Sequence, residues 1–443
     1  MIKTLSGWGN FPQVQTQLHE PRNLAALQAL IAANPSVIAR GNGRAYGDSA
    51  IGAPVTLGMR HFNHMLSFDP ETGVLVAQSG VRLADIISAF LPRGWFPLVV
   101  PGTKLITLGG AIAADVHGKN HHKDGSFRNS VLWLEVIGAD GQIRRCSPQE
   151  DPDLFNWTLG GMGLTGVVLR AAIRLRRVES AWIRQQTLPA ANLDQAIALF
   201  EGAQEATYSV AWIDCLSRGD ALGRSLVMLG EHATPQQLDA GAASEPFRID
   251  LGRKRQVPPV FPSFALNRYS VRAFNALYHW RGSRAAGTSI TSYDSYFFPL
   301  DALLGWNRIY GRKGFAQFQC VLPLTTARDG LRQLLSAISD AGQGSFLAVL
   351  KRLGVQDSPM SFPMEGYTLA LDFPVNRRSL ALMQELDKIT IQHGGRFYLA
   401  KDSRMRAETL HAADPRAAEF ASMRQSSGQH PAFQSAQSQR LSL

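Results

Sequence analysis

Along Asn23-Leu-Ala-Ala-Leu-Gln-Ala-Leu-Ile-Ala-Ala33 the apolar residues recur at helical spacing, and Ser36-Val-Ile-Ala-Arg40 behind it reads as a short strand running into glycines. Leu83 to Leu91 predicts a second helix, and Val131 to Ile137 and Val167 to Leu175 predict strands. Between that helix and the first of these strands the chain is dominated by Gly, Ala and His and follows neither period. After about Arg177 the character changes. Longer helical segments such as Leu193 to Ala206, then a basic, Pro-containing passage from Arg253 to Arg284, place a domain boundary near residue 178. Further on, Gln317 to Leu322 (strand), Ala327 to Ala341 (helix), Ser345 to Leu350 and Tyr367 to Phe373 (strands), Arg378 to His393 (helix) and Arg396 to Leu399 (strand) spell β-α-β-β-α-β. That order predicts an antiparallel sheet backed by helices. The Ser/Gln-rich tail from Gln425 to Gln439 is expected to be a mobile terminus.

With 443 residues, 45% hydrophobic and 18% charged, 40 Gly and 23 Pro, the chain is a turn-rich globular protein long enough for two domains. Its formal net charge of +10 asks for an anionic partner. Cys146, Cys215 and Cys320 are odd in number and widely spaced, with no C-x-x-C pair, so a reducing compartment is expected. The first residues lack an apolar targeting core, and no uninterrupted apolar run reaches the ~18 residues of a membrane span. The expected location is therefore cytoplasmic, with binding to a membrane surface left open.

Three segments use glycine densely: Ala39-Arg-Gly-Asn-Gly-Arg-Ala-Tyr-Gly-Asp-Ser49, Pro101-Gly-Thr through Leu108-Gly-Gly-Ala to Gly118, and Leu159-Gly-Gly-Met-Gly-Leu-Thr-Gly-Val167. Glycine lets backbone N–H groups turn toward an anion, so each segment could cradle phosphate, although each alone also suits a tight turn. Gly161-Met-Gly163-Leu-Thr-Gly166 matches G-x-G-x-x-G but runs into the strand-like Val167 to Ile173 where a Rossmann unit needs a helix. No P-loop is present either.

In their order these segments resemble the vanillyl-alcohol-oxidase (PCMH) type of FAD-binding domain. Ala113-Ala-Asp-Val-His-Gly-Lys-Asn-His-His-Lys-Asp-Gly-Ser-Phe127 and Gly394-Gly-Arg-Phe-Tyr-Leu-Ala-Lys-Asp-Ser-Arg404 narrow the resemblance to the polyprenylphosphoryl-pentose 2′-oxidase branch of that superfamily, from about residue 8 to the C-terminus. The resemblance implies an α+β fold of two domains: an FAD-binding part at 1–178, an antiparallel-sheet substrate domain at 179–394, and a segment at 395–443 that completes the first. It implies oxidation of the 2′-hydroxyl of a lipid-phosphate-linked pentose to a ketone, the first half of an epimerisation toward an arabinose donor for cell-envelope glycan. Electrons would pass to a quinone or another acceptor, and a NAD(P)H-dependent short-chain reductase would act on the keto product.

By the same resemblance the first loop, Ala39, Arg40, Gly41, Asn42, Gly43, Arg44, Ala45, Tyr46, Gly47, Asp48 and Ser49, holds the FAD pyrophosphate. Gly102, Thr107, Leu108, Gly109, Gly110, Ala114, Asp115, Val116 and His117 extend the cofactor site, as do Gly163, Gly166, Val167, Tyr398 and Lys401. Lys401 is expected to take the hydroxyl proton, its pKa lowered by desolvation or neighbouring cations. Gln319, Lys351 and His117 are expected to position substrate and flavin, and Lys119, Gln317, Thr368 and Ala370 to shape the substrate pocket. Gln317 and Gln319 flank Phe318 on a strand, so both amides face one side. Thr368 and Ala370 stand where the family carries Asn and Cys, which bears on pocket shape and not on hydride chemistry. Some sugar oxidases of the superfamily carry a flavin-bonding histidine after Gly-x-Gly; Arg44 holds that place here, so noncovalent FAD is expected. His117 and His121, with Asp115 and His122, have the spacing of a metal site, but no further ligand is signalled, no metal is expected, and structural roles suit His121 and His122.

From Arg253 to Arg284 there are seven basic residues, Arg253, Lys254, Arg255, Arg268, Arg272, Arg281 and Arg284, and no acidic ones, interleaved with aromatics. A solvated loop and a nucleic-acid groove are the competing readings. The resemblance favours an anionic membrane surface or lipid-linked phosphate over nucleic acid. The remaining alternatives are oxidation of a free sugar, alditol or aldonolactone, and a basic nucleic-acid-binding protein without catalysis.

Overall fold

The computed structural model describes residues 2–249, 254–258 and 267–443, so Arg253 and most of the Pro-containing stretch behind it lie outside the described residues. Three sheets carry the architecture. The first takes Ile2–Ser6, Gln13–His19, Val55–Gly58 and Val37–Arg40 in that order, the last three mutually parallel. Helix Leu24–Ala33 begins where the Asn23 side chain accepts from the Ala26 N–H, and its buried Leu27 and Ile31 pack on Val37, Val55 and Leu57. Burying each such side chain is worth about 1.5–3 kcal/mol. The second sheet is antiparallel, in the order Met65–Asp69, Val74–Gln78, Val167–Arg177, Val131–Ile137, Ile143–Cys146, with Trp95–Pro97 paired to the far end of Val167–Arg177.

The third sheet has eight antiparallel strands in the order Gly287–Ser292, Trp182–Ala190, Ser225–His232, Tyr208–Ile213, Ala348–Leu353, Gly366–Pro374, Phe315–Pro323, Arg396–Phe397. The last four strands, with helices Leu324–Ala341 and Arg377–Gln392, form the β-α-β-β-α-β unit read from the sequence. Alternation divides the sheet's two faces. Ala211, Ile213, Phe318, Cys320, Leu350, Leu369, Leu371 and Phe373 point into a core shared with the buried residues of those helices and of Leu193–Gly202. The residues between them, Trp212, Gln317, Gln319, Val349, Lys351, Ala370 and Asp372, line a cavity on the opposite face.

The tail is not the loose terminus that its Ser/Gln content suggested. It forms helices Arg416–Ser426 and Ala436–Leu441 and packs on the first sheet. Phe433 bridges Val37, and Ala436 N–H donates to Ile51 O at 2.8 Å. The fully buried Arg424 guanidinium satisfies the carbonyls of Leu164, Phe433 and Leu443, which a composition-based reading cannot foresee. Cys146, Cys215 and Cys320 are buried thiols without disulfide partners.

Candidate active site

The cavity, about 470 Å³, lies between the glycine segments and the polar face of the eight-stranded sheet. Its size is that of a small-molecule or cofactor site. One wall is mostly backbone, from Ala39 to Gly47 with Ser49, Gly102, Thr107, Gly109, Gly110, Ala114, Val116, Gly163 and Gly166. Gly43 and Gly163 have φ of +61° and +80°, conformations that glycine adopts without a Cβ penalty. Gly41 packs so close to Thr107 that a Cβ would stand 2.1 Å from its Oγ1. The Arg40 guanidinium is a clamp, donating to Ser6 O at 2.8 Å. Arg44 lies over the Trp8 ring at 4.2 Å with its Nε unpartnered among the described residues, and burial lowers its pKa while Asp301 opposes the fall.

The other wall is built of side chains. Lys401 follows Arg396–Phe397 in a turn closed by its own N–H to Tyr398 O at 2.9 Å, and its ammonium stands 3.6 Å from the centre of the Tyr46 ring. Gln319 Nε2 reaches two acceptors, His117 Nε2 at 3.1 Å and Thr368 Oγ1 at 3.2 Å. With the amide donating, His117 is neutral and carries its proton on Nδ1, which has no partner among the described residues. Gln317 Nε2 donates to Asp372 Oδ1 at 2.5 Å across the strand pair. Lys119 donates to Tyr296 O and lies over the Tyr296 ring at 3.9 Å.

Three lysines and the Asp372 carboxylate thus share the sheet side of the cavity, with the Asp301 carboxylate also on its lining. Burial brings Lys119 down to about 7, with Lys351 adding to the fall. Burial alone brings Lys351 to about 8. Lys401 is lowered by burial and by Lys351 against the pull of Asp372, whereas burial raises Asp372 against its Gln317 hydrogen bond and Lys401. His117 falls well below the usual histidine value through burial, then through Lys351, His121 and Lys401. Perturbed groups of opposite sign, side by side in a cavity, are the arrangement that proton-transfer sites use.

The structure gathers Lys401, Gln319, Lys351, His117, Lys119, Gln317 and Ala370 onto this cavity. Thr368 stands just behind it, holding Gln319. Four expected cofactor contacts do not line it: Asp48, Leu108, Asp115 and Val167. Leu108 and Val167 are core residues. Asp48 pairs with Arg440 at 2.7 Å, fastening the tail to the first loop. Asp115, fully buried at φ +37°, accepts from Ser126, Ser361, Gln356 and the Arg128 N–H, so it joins the glycine segment to the loop after Ala348–Leu353. His121 bonds Gln356 at 2.8 Å and the Gly354 N–H at 3.1 Å, and His122 bonds Ala206 O at 2.8 Å, which engages both rings structurally. Sequence reasoning missed Asp372, Asp301 and Trp8. Asp372 was within reach, being the next residue on the face that already held Thr368 and Ala370.

The residues present fit FAD. Ser79 Oγ, Arg44 Nε and His117 Nδ1 are buried without partners among the described residues, and all three residues line the cavity. Open space stands where a Cβ would be at Gly102, and at Gly163 only Ile38 approaches, at 3.6 Å. Backbone donors, orphaned polar atoms and the apolar lining residues Met59, Met162 and Val168 suit a dinucleotide with a flat ring system. A family model described as FAD binding domain matches residues 16–147. The chain is 37% identical to decaprenylphosphoryl-beta-D-ribose oxidase of Mycolicibacterium smegmatis over all of its own length and 98% of that protein. It is 35% identical to an uncharacterised protein of Streptomyces coelicolor over 82% of the chain and 99% of the relative. With cytokinin dehydrogenase 3 of Oryza sativa subsp. japonica it shares 27% identity over 39% of the chain and 35% of that enzyme. The basic, non-catalytic reading is thereby set aside, and the chain belongs to the decaprenylphosphoryl-β-D-ribose oxidase family of FAD-dependent oxidoreductases.

Proposed function

We propose that the enzyme oxidises the 2′-hydroxyl of a polyprenyl-phosphate-linked pentose to a 2′-ketone. The observation that carries this reading is the convergence of Lys401, Gln319, Lys351 and His117 on one wall of a cavity whose other wall is glycine backbone. Bound FAD supplies the two-electron acceptor. Lys401, lowered toward neutrality by burial, takes the hydroxyl proton. Gln319, held between His117 and Thr368, has its amide plane fixed before substrate arrives, and Lys119 and Lys351 supply positive charge in the same enclosure. With a quinone as acceptor, polyprenylphosphoryl-ribose should lose two hydrogens, and borodeuteride reduction of the product should place deuterium at C2′. Deuterium at another carbon would contradict the assignment.

In this reading FAD is held without a covalent bond, since Arg44 occupies the place after Gly43 and its guanidinium is engaged with Trp8. Acid-precipitated protein should release its yellow colour; a coloured pellet would contradict this. Electrons leave to a quinone or similar acceptor, and a nicotinamide-dependent short-chain reductase completes the epimerisation. The enzyme works at the inner face of the plasma membrane.

Helix Arg268–Arg284 supports that last point. It exposes Tyr269, Phe274, Leu277, Tyr278 and Trp280 among Arg268, Arg272, Arg281 and Arg284. The Tyr278 ring lies 4.8 Å from Trp212, and both line the cavity beside the exposed Leu303 and Leu304. A prenyl chain resting along this rim would leave its phosphate-linked sugar at the polar wall. Among the described residues no helix is long and apolar enough to cross a membrane. Neutralising Arg272, Arg281 and Arg284 should weaken flotation with anionic liposomes, at about 1 kcal/mol per charge; equal flotation would count against this helix.

A further inference from the structure

Asp372 is a buried carboxylate in the catalytic cavity for which proton abstraction by Lys401 gives no reason. It is 1% exposed, on a strand whose other inward positions are Ala370 and Thr368. Burying an isolated carboxylate is costly unless a donor or cation compensates. Gln317 supplies one N–H, and no salt bridge reaches Asp372 within 4 Å among the described residues. The titratable groups that face the pair come from several elements: Lys401 from the turn after Arg396–Phe397, Lys351 from the neighbouring strand, Tyr46 from the first glycine loop, His117 from the second, and Tyr310 behind Phe315. Of these, Lys351 and Lys401 can carry positive charge, and Asp372 is the anion among them.

We propose that Asp372, which lines the same cavity as Lys401 and is fixed by the Gln317 amide, is a positioning residue for proton abstraction: its carboxylate offsets the charge of the Lys401 ammonium and so keeps that amine basic enough to act. Without it, Lys401 would face Lys351 alone in a desolvated space and become a weaker base. With it, the proton leaving the substrate oxygen lands on Lys401 Nζ and the resulting ammonium is offset by the carboxylate. The electron pair of the C–H bond leaves with the hydride to the oxidant, and the C–O bond becomes a carbonyl, so charge and electrons balance. This rests on Lys401 as the base in the reading above.

The sign follows from the charge. Removing the anion makes Lys401 easier to deprotonate, so the acid limb of flavin reduction moves to lower pH while the plateau falls. The test uses the wild-type, Asp372→Asn and Asp372→Glu holoenzymes. The Asn variant retains an oxygen to accept from Gln317, so the packing is kept and the charge alone is lost. Anaerobic flavin reduction by polyprenylphosphoryl-ribose should show the acid limb of Asp372→Asn lowered by at least about one pH unit, as expected for loss of a nearby opposite charge. Its plateau should be reduced about tenfold or more. Asp372→Glu should keep the wild-type limb. Infrared titration without substrate provides an independent readout: the wild type should show a protonated-carboxyl C=O band that titrates near neutrality and is absent from Asp372→Asn. An unmoved limb in flavin-loaded Asp372→Asn, or a neutral-range band that survives the substitution, overturns the proposal. If lipid-linked ribose fails to reduce the wild-type flavin, the substrate reading fails, while the infrared band still decides the fate of the pair.

Discussion

The two walls of the cavity do different work with different parts of the chain. The glycine wall presents backbone from three loops and relies on what side chains would obstruct. The sheet wall presents Lys401, Lys351, Gln319 and Asp372, each from a different strand or turn, and relies on what the pleat aims inward. A dinucleotide's phosphates and flat ring are bound by close approach and many weak donors. A hydroxyl proton must instead be taken by one group with a tuned pKa. The cofactor wall should therefore fail by steric change and loss of occupancy, and the sheet wall by single-atom changes that leave the flavin bound.

The largest effect belongs to the sheet wall. Lys401→Met should lower anaerobic flavin reduction by roughly 10²–10⁴-fold, the range for a lost general base. The flavin absorbance of the purified protein should stay as in the wild type. Loss of flavin together with rate would erase the distinction between the walls.

Gly47→Ala probes the opposite side. A Cβ there would stand 2.1 Å from Asp402 O and 2.8 Å from Ser403 Cα, both backbone atoms of the segment that carries Lys401. Overpacking of this kind costs about 1–3 kcal/mol. The expected result is a lower thermal midpoint and reduced FAD content, measured by differential scanning calorimetry and by the ratio of flavin to protein absorbance. An unchanged midpoint would mean that this loop yields more easily than its packing indicates.

Thr368→Val gives the smallest change. It keeps the shape but removes one of the two acceptors that hold the Gln319 amide. Losing such a hydrogen bond costs about 1 kcal/mol, so kcat/KM should fall about fivefold with FAD content unchanged. A fall beyond a hundredfold would give Thr368 a direct part in binding substrate.

Much of the glycine wall was visible in the sequence because its function is carried by residue type: dense glycine in three ordered segments reads as backbone approach. Helices and strands with a clear period, such as Val131–Ile137 and Arg377–Gln392, were legible for the same reason. The strand Gly287–Ser292 was not, since Gly-Thr-Ser-Ile-Thr-Ser has no apolar alternation and pairs along one side only. Trp182–Ala190, whose Pro189 argues against a strand, escaped as well. The buried tail and the Asp48–Arg440 pair escaped because their partners lie far apart along the chain. Asp115 carried a motif signal without its role: it sits inside the most specific stretch of sequence, yet its carboxylate turns away from the cavity to join two segments of the fold.

Anaerobic reduction of the bound flavin, followed by its visible absorbance, decides whether the enzyme oxidises a lipid-linked pentose. Polyprenylphosphoryl-ribose should bleach the flavin, whereas free ribose, an alditol and an aldonolactone at equal concentration should leave it oxidised. Bleaching by the free sugars, with none by the lipid-linked pentose, would exclude a lipid-linked substrate.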